Sequence, residues 1–213
     1  LEYYKISLVL RSDPNFPKIL KEIPWPPFAL YVKGAPLNND LAIAIVGTRK
    51  ATLHGKNIAK KFARELGNAG VTVVSGLALG IDASAHEGAL ETQGKTLAVL
   101  GNGLDKIYPR QNELLAQKIL GARGTLISEY PVGTPSLGFR FIERNRIISG
   151  LARGAIIVEA PEDSGALATA KFALEQNREI FVVPGQLNHP NYVGSHALIK
   201  AGASLITATT DAL

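Results

Sequence analysis

The chain contains no cysteine. Disulfides, thiolate metal sites and a thiol nucleophile are thereby excluded. Methionine is also absent, and the sequence supplies no physical account of that. The histidines, His54, His86, His189 and His196, are scattered and never form the i, i+4 pair of a metalloprotease helix, so no metal site is expected. No uninterrupted apolar run is long enough to span a bilayer. The opening LEYYKISLVLRSD has neither a basic n-region nor a small-residue cleavage site, and a cytoplasmic location away from membranes is expected. Glycine-based phosphate signatures are incomplete. No GxxxxGK[ST] loop occurs, and Lys106 stands where a dinucleotide fingerprint after Gly101-Asn102-Gly103 needs its third glycine. There is no GxSxG elbow either.

What is present is positive charge in two places, within a net charge of +5. The run Thr48 to Arg64 holds Arg49, Lys50, Lys56, Lys60, Lys61 and Arg64 with no acid. At helical spacing Lys56, Lys60 and Lys61 read as a solvated face, whereas Arg49 and Lys50 sit in a loop directly after an apolar strand. The second run, FRFIERNRIISGLAR from Phe139 to Arg153, sets Arg140, Arg144, Arg146 and Arg153 against one acid, Glu143. On a helix, Arg140 and Arg144 share a face. Guanidinium groups clustered on one short element suit phosphates, so a polyanionic partner is expected.

From Leu41 onward, apolar runs of strand length alternate with helical patterns. The strand runs are 41–46, 71–74, 96–100, 125–128, 155–159, 179–183 and 204–207, continuously apolar as in strands covered on both faces. The helical stretches are Ile58–Ala69 ended by Gly70, Asp82–Leu90, Asn112–Leu120, Ser164–Glu175 and Ser195–Ala201. This order predicts a doubly wound α/β domain over 41–213, built on a mostly parallel sheet of about seven or more strands. Residues 1–40 differ. Pro14, Pro17, Pro24, Pro26, Pro27 and Pro36 crowd the segment and Trp25, Phe28 and Tyr31 interleave, which predicts an extended arm packed on the main domain.

In such a sheet ligands bind at the carboxyl ends of the strands. Those ends carry Gly47-Thr48-Arg49-Lys50, Ser75-Gly76, Gly101-Asn102-Gly103, Tyr108-Pro109-Arg110 and Ser164-Gly165. Glycines there permit close approach and helix starts attract anions, although turn geometry alone also accounts for each glycine. Catalytic groupings are sparse. Asp82 and His86, four apart on a helix, form either a base with its orienting acid or a structural contact. Glu129 and Glu159 end two strands, and either work as an acid–base pair or bind Arg144 or Arg146. Ser75 and Ser164 read as helix caps before nucleophiles.

The loops, taken in order, carry a family resemblance. GTR (47–49), SGLALGIDASAHEGAL (75–90), TLAVLGNGLDKIYPRQN (96–112), ISEYPVG (127–133), FIERNRIISGL (141–151), VEAPEDSGALATA (158–170) and FVVPG (181–185) closely resemble the DprA/Smf family of DNA-processing proteins. The resemblance runs from Leu41 to the C-terminus. It extends to neither the N-terminal helical domain nor the C-terminal winged-helix-like domain that many members carry. Ile142 stands where members usually have proline, and His196 where asparagine is frequent.

The resemblance implies an extended Rossmann-like domain that binds single-stranded DNA in natural transformation, without catalysis or cofactor. It further implies a homodimer that protects incoming strands and helps load the RecA recombinase. By motif, the DNA site would comprise Gly47, Thr48, Arg49, Lys50, Ser75, Gly76, Arg110, Phe139, Arg140, Arg144, Asn145, Arg146, Ser164 and Gly165. Within the arginine run, Arg140 and Arg144 would face the strand, with Arg146 locking a loop through Glu129 or Glu159. Single strands need cations along the backbone and π-faces for bases, and Tyr130, Phe139 and Phe141 are available for the second, with core packing the competing use of Phe141. An enzyme that binds or cleaves nucleoside monophosphates is the alternative, though the PGGxGT-type motif of phosphoribohydrolases is missing. A scaffold whose basic loops hold an acidic protein is a third.

Overall fold

The computed structural model of the chain describes residues 1–37 and 40–213, so Asn38 and Asn39 of the expected arm lie outside the described residues. A nine-stranded sheet forms the centre, in the order β1-β2-β6-β5-β4-β3-β7-β8-β9. These strands are β1 (Ser7–Leu10), β2 (Ala29–Gly34), β3 (Ala42–Val46), β4 (Thr72–Ser75), β5 (Thr96–Leu100), β6 (Thr125–Ser128), β7 (Gly154–Ile157), β8 (Glu179–Val182) and β9 (Ser204–Leu205). β1 and β2 are antiparallel, as are β2 and β6; every other pairing is parallel. The expected doubly wound α/β fold is the observed one.

Period-two alternation divides each central strand between two cores. On β3, Ile43 and Ile45 face one cluster with α2 (Leu53–Asn68) and α3 (Ile81–Leu90), while Ala42, Ala44 and Val46 face the other. That second side is covered by α5 (Gly138–Gly150) and α6 (Gly165–Glu175); α4 (Glu113–Gly121) and α7 (Val193–Lys200) complete the longer helices. α2 starts because the Thr52 hydroxyl accepts from Gly55 N at 3.0 Å, and Gly70, at φ +76°, ends the turn beyond it. Its buried stripe is Gly55, Ala59, Phe62, Ala63 and Leu66, so the face is rotated from the expected one and Ala69 is left outside.

The proline-rich segment does more than pack on the domain. Its strands β1 and β2 extend the sheet beyond β6, with Tyr31 opposite Ser128. Prolines confine its helix, α1 (Lys18–Lys21), to a single turn. Phe16 and Leu20 are fully buried and join the same core as Leu30 and Val32.

The chain runs β3, β4, β5, β6 outward in one direction, then crosses back through α5 to place β7 on the other side of β3. The reversal lies between β3 and β7, where loops diverge and a crevice opens at their carboxyl ends.

His86, on α3, is wholly buried, with Nδ1 2.7 Å from the Thr96 hydroxyl. That hydroxyl donates to Val73 O at 2.9 Å, so Nδ1 carries the proton and donates, while Nε2 is buried with no partner. Burial, with the Arg144 charge behind it, pushes the imidazole down to about 3. Above its ordinary value of 6.5 both folded and unfolded states hold it neutral; below, only the unfolded state takes up the proton. This contribution therefore favours unfolding progressively from pH 6.5 down to about 3, by about 1.4 kcal/mol per pH unit. Urea denaturation at stepped pH will show His86→Gln flattening the decline in stability below pH 6.5.

Candidate nucleic-acid interface

The crevice at the reversal point has a volume of about 620 Å³. Gly47, Thr48, Arg49 and Lys50 enter it from the end of β3, Phe141, Arg144 and Asn145 from α5, and Ser164 and Gly165 from the start of α6. Thr48 N donates to Glu159 O at 2.7 Å, which ties the loop after β3 to the loop after β7. Gly47 is required there: a Cβ would meet Ile81 Cγ1 at 2.5 Å and Glu159 O at 2.9 Å. Ser164 caps α6 by accepting from Ala166 N at 3.2 Å, so that helix presents its N-terminus to the crevice.

Arg144 forms the floor and is only 4% exposed. Its Nη1 donates to Gly76 O at 2.9 Å and also to Val99 O; its Nε donates to Asn145 Oδ1 at 3.3 Å. Asp82, also buried, accepts from Gly76 N at 3.0 Å and Ala78 N at 3.4 Å. A Cβ on Gly76 would come 2.7 Å from both Arg144 Nη2 and Asp82 Oδ2, so only glycine fits between the two charges. Burial pushes the Asp82 carboxyl up, with Arg144 opposing. Burial likewise lowers the Arg144 guanidinium to about 10, with Asp82 opposing, and it stays charged at neutral pH.

This corrects the expectation that Arg140 and Arg144 present a common open face. Arg144 turns inward to the carbonyls of Gly76 and Val99. Arg140, in the first turn of α5, donates to Pro135 O at 2.6 Å, and its guanidinium lies 5.3 Å from the Tyr130 ring and 5.4 Å from that of Phe139. Phe139 is exposed. Arg146 reaches Glu129 at 2.5 Å, one of the two acids expected for it. Asn145 Nδ2 donates to Gly165 O at 3.1 Å, fastening α5 to the start of α6. Arg49 is exposed, with its guanidinium 5.5 Å from the Phe141 ring, and that ring stacks on Tyr108 at 5.1 Å. Phe141 is thus partly exposed and lies outside the core.

Of the expected residues, Gly76, Phe139, Arg140 and Arg146 lie beside the crevice and not in its lining, and Ser75 and Arg110 are directed elsewhere. Ser75 is fully buried and donates to Ile45 O at 2.7 Å, an interior tie between strands rather than a helix cap. Arg110 lines a separate recess with Lys33 and Lys106 beside α4. The suggested Asp82–His86 pair does not form, because α3 directs Asp82 to the preceding loop and His86 to Thr96. Among the described residues no cluster of His, Cys, Asp or Glu could hold a metal ion. Nor is any helix among them long and apolar enough to cross a membrane.

The residue that sequence reading misplaced is Glu159. It is fully buried and accepts from Thr52 N at 2.9 Å, Thr52 Oγ1 at 2.5 Å, Asn191 Nδ2 at 2.9 Å and Tyr192 OH at 3.1 Å. Burial alone would raise its carboxyl, but these bonds, led by those of Thr52, hold it below its ordinary value. No short motif signals this, since Thr52 lies 107 residues before Glu159 and Tyr192 33 after. Glu129 and Glu159 are each engaged separately and do not form an acid–base couple. Glu159→Gln is expected to lower stability by about 2 kcal/mol, since the amide loses the charge that strengthens these bonds and turns an NH2 toward the Thr52 and Tyr192 hydroxyls that donate to the carboxylate. Urea denaturation measures it, and Glu159→Asp recovers part of the loss.

Comparison with known proteins adds relatives. Residues 7–213 match the family model described as DNA recombination-mediator protein A. The protein Smf of Escherichia coli (strain K12) is 44% identical over 208 residues, which cover 96% of this chain and 55% of that one. The chain spans about half the length of the first curated relatives it matches, 55% and 52%. The X-ray structure of DNA processing protein A from Streptococcus pneumoniae superposes with a TM-score of 0.91 at 38% identity, over 97% of this chain and 73% of that one. DNA processing protein A from Helicobacter pylori, whose structure was described for its single-stranded DNA binding mode, gives 0.85 at 32% identity, over 97% and 93%.

Proposed function

The chain belongs to the DNA recombination-mediator protein A family, and on that premise we propose that it binds single-stranded DNA in the crevice between β3 and β7. The observation that carries this reading is Arg49. It is an exposed cation at the carboxyl edge of a parallel sheet, set over the Phe141 ring, which itself stacks on Tyr108, at the mouth of that crevice. Sequence-tolerant recognition of a single strand needs this combination, cations for phosphates beside π-faces for bases. Lys50 adds a second exposed cation, and the α6 N-terminus at Gly165 turns the positive end of its dipole toward the crevice. Arg144, Asn145 and Arg146 act indirectly, by shaping the floor and fixing α5. Arg140 and Phe139 continue the stacking surface outward.

The protein acts as a binder and not a catalyst. Glu129 and Glu159, the carboxylates that nucleotide chemistry would use, are engaged by Arg146 and by Thr52, Asn191 and Tyr192. In natural transformation the protein would then shield incoming strands as a homodimer and pass them to a RecA-type recombinase; the family's description as a recombination mediator supports this role.

Oligothymidine titrations across a salt series test the site. Arg49→Ala is expected to weaken binding and to reduce the slope of log affinity against log salt by about 0.7, the loss of one phosphate contact. Arg110→Ala, away from the crevice, is expected to leave both unchanged. Equal affinity for Arg49→Ala and the parent protein removes the crevice from consideration.

A further inference from the structure

We propose that the bound strand continues from the crevice across the carboxyl edge of the sheet to an outer stacking platform made by Phe28 and Trp25, with Arg11 as its phosphate contact. This rests on the reading of the crevice as a single-strand site and extends it to a segment, 11–28, that carries no assigned role. Phe28 and Trp25 are each 74% exposed, and Trp25 is the chain's one tryptophan. Pro27 between them is buried and anchors the segment, so both rings project outward from a fixed point. Scattered surface aromatics are ordinary in a protein. What sets these apart is their position.

Strand register fixes that position for Phe28, and Trp25 lies three residues before it, beyond Pro26 and the buried Pro27. Tyr31 pairs with Ser128, the last residue of β6, and β2 runs antiparallel to β6. Residues 29 and 28 therefore extend past the carboxyl end of β6, level with Tyr130 and Pro131. Arg11 N donates to Phe28 O at 2.9 Å, which places an exposed arginine opposite Phe28 where β1 and β2 meet. Across the same edge, the strand order runs from β3 through β4, β5 and β6 to β2. That is four interstrand steps, roughly 19 Å. Two of the outer steps carry an aromatic–cation group, Phe141 and Tyr108 with Arg49 over β5 and Tyr130 and Phe139 with Arg140 over β6, and at β2 Phe28 stands opposite Arg11. Of the acids near this line, Glu129 is held by Arg146, Glu143 by the Tyr130 hydroxyl, Glu22 by Arg178 and Asp13 by Leu10 N, while Asp163 is exposed at the crevice. Alternating cations and ring faces along one edge match the phosphate and base spacing of a single strand better than they match an apolar partner, which would leave the guanidinium groups unpaired.

Tryptophan emission tests the platform directly, because a base stacked on Trp25 quenches the only indole. End-labelled oligothymidines of about six and about twenty nucleotides, bracketing a single-strand site size, are titrated into the whole chain and followed by anisotropy and emission. The short one is expected to bind with emission unchanged. The long one is expected to bind about tenfold tighter, within the range for one or two stacked bases, and to quench Trp25. The double variant Trp25→Ala/Phe28→Ala, both at the surface, should lose that tenfold for the long oligonucleotide and keep the short one's affinity. Failure of both oligonucleotides to bind overturns the crevice reading itself. Binding of both with emission unchanged overturns the platform alone. So does a double variant that alters oligomeric state while retaining the long oligonucleotide's affinity, an outcome that assigns the patch to a second copy of the chain.

Discussion

A single buried guanidinium, that of Arg144, holds the carboxyl edge of this sheet together. Removing such a charge from water costs several kcal/mol, and it stays charged only where hydrogen bonds and an opposite charge offset that cost. Here the carbonyls of Gly76 and Val99, the Asn145 amide and the nearby Asp82 carboxylate supply the offset. Gly76 follows β4 and Val99 lies on β5, so the cation pins α5 across the ends of two strands. Every other feature of the edge follows from that pinning. Phe141 reaches Tyr108 and Arg49, Asn145 reaches α6, and Arg146 reaches Glu129 because α5 lies in this one place.

On the far side of the crevice Glu159 does the complementary work with negative charge. Arg144, with Asp82 beside it, and Glu159 thus flank the opening, and each is satisfied by partners within the protein. Neither needs the ligand for balance. The cations that do face solvent, Arg49 and Lys50, sit on the loop that both walls hold in place. Such an arrangement keeps the recognition loop rigid before binding, which reduces the ordering cost of association.

Continuous apolar runs made the parallel strands readable: 96–100 and 125–128 coincide with β5 and β6 to the residue. The antiparallel strands were not readable, because Ser7–Leu10 and Ala29–Gly34 are short and set among prolines that suit a loop equally well. At the site, Gly47-Thr48-Arg49 was readable from its place after a buried strand. The fate of the arginines was not. Helical spacing relates Arg140 to Arg144, but only tertiary structure decides that one meets strand-end carbonyls and the other an aromatic pair. Arg144 goes against the usual exposure of arginine, and Ser75 looks like a cap until the neighbouring Ile45 carbonyl is in view. Long-range hydrogen bonds such as those of Glu159 leave no periodic trace.

The reach of Glu159 bears on how the protein comes into being. Its partners span Thr52 to Tyr192, so the loop that follows the first parallel strand is anchored by a helix turn near the other end of the chain. On the ribosome, β3, β4, β5 and β6 can pair in order of synthesis, yet the loop after β3 lacks Glu159 until β7 has emerged, and Glu159 lacks Asn191 and Tyr192 until residue 192 has. That loop is therefore among the later parts of the edge to set although its residues are made early. A nascent chain that has not reached residue 192 carries the central strands without the finished wall of the crevice.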